Sequence, residues 1–250
     1  MQIQATALRK QYGDFELSIP DFTISTGQTV GLVGNNGAGK TTLLRLVLDL
    51  IRADDGTVRI GENDVAQTFD WKRSTGSYLD DAFLIDFLTP DEFWAFVGST
   101  YELSEDAVER AVQPYADFYT DEPIGETTKY IRNLSQGNRK KVGVIAALLA
   151  EPQVVVLDEP FASLDPRSQI WLKDHLREQQ AARSTTMLIS SHDLGHVTDV
   201  SDRIALLDGG TIVRNVATTP DTLGELEAYF AREIRPGGEQ ADATRSVAEG

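Results

Sequence analysis

The chain has 250 residues, no cysteine, three histidines and a formal net charge of −16. That length can build a sizeable core in one large domain or two small ones. The missing cysteines exclude disulfides and thiolate metal centres, and the few histidines leave little room for a multi-histidine cluster. The acidic balance argues against nucleic acid as the main partner, because phosphate backbones select clustered Lys and Arg.

The opening "MQIQATALRKQYGDF" has no apolar secretory core. The strongest apolar run, "VGVIAALLA" from Val142 to Ala150, falls far short of the ~20 residues that cross a bilayer. The chain is therefore expected to be soluble and cytoplasmic. In chain order, "QIQATAL" and "FELSIPDFTI" alternate loosely as strands, with Gly13 and Gly27 at turns. "TVGLV", Thr29 to Val33, is a short, fully apolar strand of the kind buried in a parallel sheet. After the loop "GNNGAGKTT", the apolar residues Leu43, Leu44, Val47, Leu48 and Ile51 predict a helix over Thr41 to Ile51. "GTVRIGE" reads as another strand, and from about Thr89 the pattern turns helical through "PDEFWAFVGSTY", "SEDAVERAVQPYADFY" and "SQGNRKKVGVIAALLA". A second buried strand, "VVVLDEP", follows at Val154 to Pro160. Next come the helix "PRSQIWLKDHLREQQAAR", the strand "TTMLISSH" and the pair "RIALLDGGTIVRN", whose Asp208–Gly210 is a hairpin signal. A last helix is predicted over Asp221 to Arg235, before a segment with too little apolar surface to fold. Strands alternating with helices predict an α/β class with a parallel sheet and a helical lobe inserted at about 85–150.

The loop from Gly34 to Thr41 fits G-x-x-x-x-G-K-[ST]. Gly34, Asn35, Asn36, Gly37, Ala38 and Gly39 would curl so that backbone N–H groups face phosphate oxygens, aided by the positive start of the next helix. Lys40 would reach the β- and γ-phosphates, and Thr41, followed by Thr42, would place its hydroxyl on Mg²⁺. A dinucleotide fingerprint, G-x-G-x-x-G, is not supplied. In "VVVLDEP", Asp158 ends a buried strand where a carboxylate can hold Mg²⁺, directly or through water. Glu159 next to it can orient and deprotonate an attacking water. The plainer reading of these two carboxylates is an acidic strand end that caps the following helix.

Lys40 and Asp158 stand 118 positions apart, more than a minimal α/β nucleotide fold needs. The excess is the helical lobe, and its end holds "NLSQGNRKK", Asn133 to Lys141. With this segment the chain resembles the ATP-binding subunit of an ABC transporter. The matching pieces are "GNNGAGKTT", "LSQGN", "VVVLDEP", "SLD" (Ser163 to Asp165) and "SHD" with His192, in the family's order over about residues 1–230. The resemblance implies a P-loop NTPase core: a RecA-like, mostly parallel sheet, an N-terminal antiparallel β-subdomain and an inserted α-helical subdomain. It implies one ATPase domain over 1–235, with 236–250 as a disordered tail, and ATP and Mg²⁺ as ligands.

Residue by residue, the resemblance implies that Ser135, with Gln136 and Gly137, grips a γ-phosphate at a helix start, Ser135 also serving as N-cap. Asp165, in the "SLD" segment, would belong to the nucleotide-binding residues, and His192 would hydrogen-bond the γ-phosphate and water. Tyr12 resembles the aromatic that stacks on adenine, a packing tyrosine being the alternative. Two departures stand out. Gln136 and Asn138 replace a glycine and a glutamine of the signature. Asp81 falls where the family has a glutamine that touches Mg²⁺ and water, with Asp80 the alternative for that place; an aspartate can still bind Mg²⁺ or its water shell.

The family packs two subunits head to tail around ATP, so the resemblance implies a second copy or a sister chain, and separate membrane permease subunits. Their contact would be a groove near "LDDAFLIDFLTPDEFW", where Phe83, Phe87, Phe93 and Trp94 are either docking aromatics or core. The aspartates and "FLIDFLT" lean toward an exporter-type permease. The chain would then lie peripherally on the cytoplasmic face of the membrane. A non-transport ABC ATPase acting on nucleic-acid or ribosomal complexes is the alternative, and a non-hydrolysing regulatory subunit a third reading.

Overall fold

The computed structural model describes residues 1–234; the expected tail at 236–250 lies outside them. The chain opens with an antiparallel hairpin, β1 (Ile3–Tyr12) and β2 (Phe15–Ile24), in which Ile3 faces Ile24 and Tyr12 faces Phe15. Strand β4 (Asp55–Ile60) pairs with the other edge of β1, and the short β5 (Asn63–Asp64) completes a sheet of order β2-β1-β4-β5. Within β1, Ile3 and Ala5 point inward, and then Leu8 does, which breaks the period of two. Ala7 takes φ +48°, and the β1–β4 register slips between Thr6 and Arg9. This bulge returns Leu8 to the core face.

The second sheet has six strands in the order β10-β9-β3-β8-β7-β6. They are β3 (Thr29–Val33), β6 (Thr75–Tyr78), β7 (Val154–Asp158), β8 (Thr186–Ser190), β9 (Arg203–Asp208) and β10 (Thr211–Ala217). Every neighbouring pair is parallel except the β9–β10 hairpin. Strands β3, β7 and β8 are buried along their whole length, which explains their unbroken apolar sequences. Their residues divide by parity. Val30, Leu32, Val154, Val156 and Leu188 enter a core shared with the antiparallel sheet and helix α1 (Lys40–Val47). Val155, Leu157, Met187 and Ile189 enter a second core with the helical lobe.

That lobe contains α2 (Pro90–Thr100), α3 (Glu105–Val112) and α4 (Gln136–Leu148). Helix α2 starts at a reciprocal capping box between Thr89 and Glu92. The predicted α3 ran on to "YADFY"; it stops at Val112, and a short 3-10 turn carrying Pro114 follows, because proline supplies no N–H to continue the ladder. Trp94 Nε1 donates to the Val142 carbonyl at 3.0 Å, and its ring meets Tyr119 edge-on at 5.5 Å, fastening α2 to α4 within the lobe. Helix α5 (Pro166–Arg183) covers its predicted span, and α7 (Thr222–Ile234) falls where the last helix was expected. Helix α1 ends at Val47, short of the predicted Ile51, where Asp49 at φ +51° turns the chain toward β4. The unpredicted α6 (Leu194–Val200) is capped by Asp193, which accepts from the Gly195 and His196 amides. Among the described residues no helix is long and apolar enough to cross a membrane.

The strand that leads into the phosphate loop depends on one close approach. A Cβ on Gly31 of β3 would stand 1.9 Å from Val197 Cγ1 and 2.8 Å from Ile204 Cδ1. No helix-propensity gain offsets that clash in a strand, so Gly31→Ala is expected to destabilise the protein by about 1–3 kcal/mol through overpacking. Urea unfolding with an unchanged m-value and a lower midpoint is the expected result.

Candidate active site

The loop between β3 and α1 is built for an anion. Gly39 takes φ +107°, and a Cβ there would meet Phe15 Cζ at 2.9 Å, so glycine alone suits the place where the loop becomes helix. No side chain caps the start of α1, and its first turn has no acidic residue. The positive end of the helix is thus left for an external anion. Lys40 is 8% exposed, and its Nζ donates to the Gly34 carbonyl at 2.6 Å and to that of Asn35 at 3.4 Å. Thr41 Oγ1 donates to Asp158 Oδ2 at 2.8 Å, although 117 positions separate the two residues. The other carboxylate oxygen of Asp158 accepts from Ser190 Oγ.

These groups border a cleft of about 670 Å³. Asn35, Asn36, Gly37, Gly39, Lys40, Thr41 and Thr42 line one side, facing Asp80, Asp81, Asp158 and Glu159. Of the remaining loop residues, Ala38 is buried in the core and Gly34 presents its carbonyl to Lys40. Glu159 adopts φ +50°, its N–H bonded to the Ser190 carbonyl at 3.2 Å and to Ser190 Oγ at 3.1 Å. Its Oε2 lies 2.7 Å from His192 Nδ1 and accepts from Ser191 Oγ at 3.4 Å. His192 itself lies just beyond the end of β8, exposed and next to Glu159 rather than on the cleft wall.

Asp81 Oδ1 accepts from Tyr78 Oη at 2.6 Å, and its Oδ2 is 3.4 Å from Arg139 Nε. Burial, and then the hydrogen bond to Asp81, push the Tyr78 phenol well above its usual pKa. Asp80 instead caps a short 3-10 turn, accepting from the Ala82 amide at 2.7 Å, with Arg45 at 3.9 Å. From α4, Gln136 and Lys140 also line the cleft, since residues four apart share a helix face. Burial lowers the Lys140 pKa from the usual lysine value, and the nearby Asp81, Glu159 and Asp158 pull it back up.

The other signature residues stay outside the cleft. Ser135 caps α4, accepting from the Asn138 amide at 3.2 Å. A Cβ on Gly137 would meet the Ser163 carbonyl at 2.7 Å. Asp165 caps α5, accepting from Ser168 Oγ at 2.6 Å and the Ser168 amide at 3.0 Å, with Lys141 at 3.4 Å. The Ser168 bonds, aided by Lys141, hold the Asp165 carboxyl well below the usual range. Within one chain Ser135 thus stays off the cleft that the phosphate loop borders, whereas Gln136 lines it. Tyr12 is 49% exposed at the hairpin end; its cross-strand neighbour Phe15 lines the cleft. Phe15, Tyr78, Leu79, Ala82 and Lys140 are the cleft residues that the sequence did not single out. The turn "YGDF" and the i, i+4 relation to Gln136 carried the available signals for Phe15 and Lys140.

A hydroxyl and a carboxylate 2.8 Å apart beside a phosphate loop are hard oxygen donors suited to Mg²⁺. Among the described residues no group of three or more His, Asp or Glu is arranged to hold a metal, so an ion bound by Thr41 and Asp158 would complete its shell with water and substrate oxygens.

A protein-family model described as "ABC transporter" matches residues 17–162. An uncharacterized ABC transporter ATP-binding protein of Synechocystis sp. is 32% identical over 220 residues, 87% of this chain and 60% of that protein. A "Probable sulfate/thiosulfate import ATP-binding protein" of Chlorella vulgaris is 31% identical over 86% of this chain and 90% of its own length. A sulfate/thiosulfate import ATP-binding protein of Mycobacterium tuberculosis is 32% identical over 81% of this chain and 58% of its own. The chain thus spans about 60% of the length of some curated relatives and nearly all of another. Among solved structures, the ATP-binding subunit of an ABC transporter superposes with a TM-score of 0.81 at 23% identity, covering 94% of this chain and all of that one. A dimeric ATP-binding cassette in a post-hydrolysis state, bound to ADP and Pi, gives 0.76 at 20% identity over 87% and 99% of the two chains. These structures share the P-loop NTPase fold described above.

Lys40→Ala removes the cation held over the loop carbonyls. Its MgATP affinity by calorimetry is expected to fall roughly 10- to 100-fold, the worth of about 1.5–3 kcal/mol for hydrogen bonds to a charged group. Unchanged affinity would remove Lys40 from the phosphate site.

Proposed function

The chain belongs to the family of ABC transporter ATP-binding proteins, and from that premise we propose that it hydrolyses ATP as the nucleotide-binding subunit of a membrane transporter. The observation that carries this reading is the convergence of Lys40, Thr41, Asp158 and Glu159 on one cleft, with His192 hydrogen-bonded to the glutamate. In this reading the loop amides and Lys40 hold the β- and γ-phosphates. Glu159 takes the proton of the water whose oxygen attacks the γ-phosphorus, and ADP leaves with its β-oxygen. His192 fixes Glu159 Oε2. A Mg²⁺ ion held by Thr41 and Asp158 would offset phosphate charge, and Asp81, occupied by Tyr78 and Arg139, would reach it through water. The contact between Glu159 and His192 weighs against a non-hydrolysing subunit, and Tyr12 beside Phe15 suits an adenine at the cleft rim.

Ser135 and Asp165 lie outside the chain's own cleft, which supports a second subunit, identical or a sister, that receives them head to tail around ATP. We read residues 1–235 as this ATPase domain, with the helical subdomain at about 85–150. A groove of about 540 Å³ beside it, lined by Phe83, Leu84 and Tyr101, suits an apolar permease segment. Phe83 lines this groove and is 53% exposed; Phe87, outside its lining, is 62% exposed; Phe93 borders the groove from the core, and Trp94 is fully buried, so the exposed aromatics open to docking are Phe83 and Phe87. The protein would sit on the cytoplasmic face of the membrane through that contact. The two relatives above whose names state a direction are import proteins, and this weighs for import over the exporter-type permease expected from "FLIDFLT". The cleft carries no feature favouring a nucleic-acid or ribosomal partner.

Glu159→Gln keeps shape and removes the base. It is expected to bind MgATP normally, to hydrolyse it at least ~100-fold more slowly, a loss of about 3 kcal/mol, and to elute as an ATP-dependent dimer. Near-normal phosphate release would end the assignment. Adding Ser135→Arg should abolish that dimer while sparing nucleotide binding, as read by light scattering and calorimetry. Separately, Phe83→Ser with Phe87→Ser should lose co-purification with the membrane subunit at unchanged MgATP affinity.

A further inference from the structure

Three consecutive cations, Arg139, Lys140 and Lys141, sit in the first turns of α4. Successive residues of a helix point about 100° apart, so the three fan out to three separate loops. Arg139 meets Asp81 at 3.4 Å, Lys140 Nζ donates to the Glu159 carbonyl at 2.6 Å, and Lys141 meets Asp165 at 3.4 Å. Lys140 differs from the others in choosing a main-chain oxygen. It is 8% exposed, and an ammonium is buried only at substantial cost. If its role were charge neutralisation alone, a nearby carboxylate would be the better partner.

The carbonyl it holds belongs to a strained residue. Glu159 takes φ +50°, a region that residues with side chains seldom enter. Pro160 follows and offers no N–H to stabilise the turn. Such a conformation persists only where its surroundings over-determine it. Here the N–H is fixed by Ser190 and the carbonyl by Lys140, so both peptide planes flanking the Glu159 side chain are set.

We propose that Lys140 is a positioning residue for hydrolysis: by gripping the Glu159 carbonyl it aims the Glu159 carboxylate and ties that aim to α4, the helix that Ser135 caps. The proposal rests on the ATPase reading above. A shift of α4 then moves the base of the same subunit, without Lys140 touching the reacting atoms.

The test uses the full chain and MgATP. Lys140→Met should lower the single-turnover rate on the order of tenfold to 100-fold, as expected for a misplaced catalytic group, with the KM for MgATP held within about threefold, since the phosphate loop is untouched. Lys140→Arg, which keeps charge and donor, should recover most of the rate. In a Glu159→Gln background, Lys140→Met should cost nothing further, because the group it aims is gone. Circular dichroism melting checks folding, and should Lys140→Met not fold, Lys140→Gln carries the same cycle with a smaller loss. An unchanged rate in Lys140→Met, losses that multiply in the double variant, or a KM that rises with the rate loss would each overturn the proposal. A wild-type chain that releases no phosphate would instead overturn the ATPase reading, and the proposal with it.

Discussion

The architecture turns on one buried carboxylate. Asp158 is 7% exposed at the end of a central strand, and it stays there only because both its oxygens are bonded, one by Thr41 at the start of α1 and the other by Ser190 at the end of β8. An unpartnered carboxylate would be neutralised or expelled. These two hydroxyls therefore fix the C-terminal ends of β7 and β8 against the first turn after the phosphate loop. The parallel sheet makes this possible: β3, β8 and β7 are neighbours with their ends aligned, so chemistry carried by distant stretches of sequence converges at one edge. Ligands of open α/β sheets bind at this edge for the same reason.

Helix α4 is the second organising element, and its two halves do different work. From Val142 to Leu148 every residue is buried, packing against Trp94, Tyr78 and the sheet. From Gln136 to Lys141 it is polar, with Gln136 and Lys140 directed to the cleft and Lys141 to the cap of α5. A rigid apolar half holds the polar half at fixed height above the site. The helical lobe therefore has a mechanical link to the Glu159 turn, made of a hydrogen bond from Lys140.

Much of this was legible in the sequence, and the reasons are physical. "TVGLV" and "VVVLDEP" are apolar at every position because parallel strands are covered on both faces, and Pro166 and Arg183 bracket α5 as predicted. The loop Gly34–Thr41 and the carboxylates Asp158 and Glu159 declare themselves by residue type and spacing. Other features were not legible. Helix α6 has seven residues and one glycine, too short to display a period. The bulge at Ala7 is a tertiary choice that alanine does not announce. Phe15, directly across the hairpin from Tyr12 and so on the same face of the sheet, lines the cleft, and only the cross-strand register brings it there. Lys140 read as one charge in a basic run, and only its helical phase makes it a cleft residue.

The aspartate at position 81 bears on how much negative charge the cleft can hold. Where the resemblance places a neutral amide, this chain adds a carboxylate near Asp158 and Glu159, in a site read as a polyphosphate pocket. Two unit charges 4 Å apart interact by about 4 kcal/mol at an effective dielectric of 20, so an uncompensated Asp81 would oppose an incoming γ-phosphate. Arg139 of α4 pairs with Asp81, and the Tyr78 hydroxyl donates to it. Both Arg139 and Asp81 are about a third exposed, so water screens part of the effect in either direction. What remains is a partial offset of the Asp81 charge, and it depends on α4 being seated. Asp81 and Arg139 are then two sides of one electrostatic arrangement, and changing either alone leaves the other uncompensated at the cleft wall.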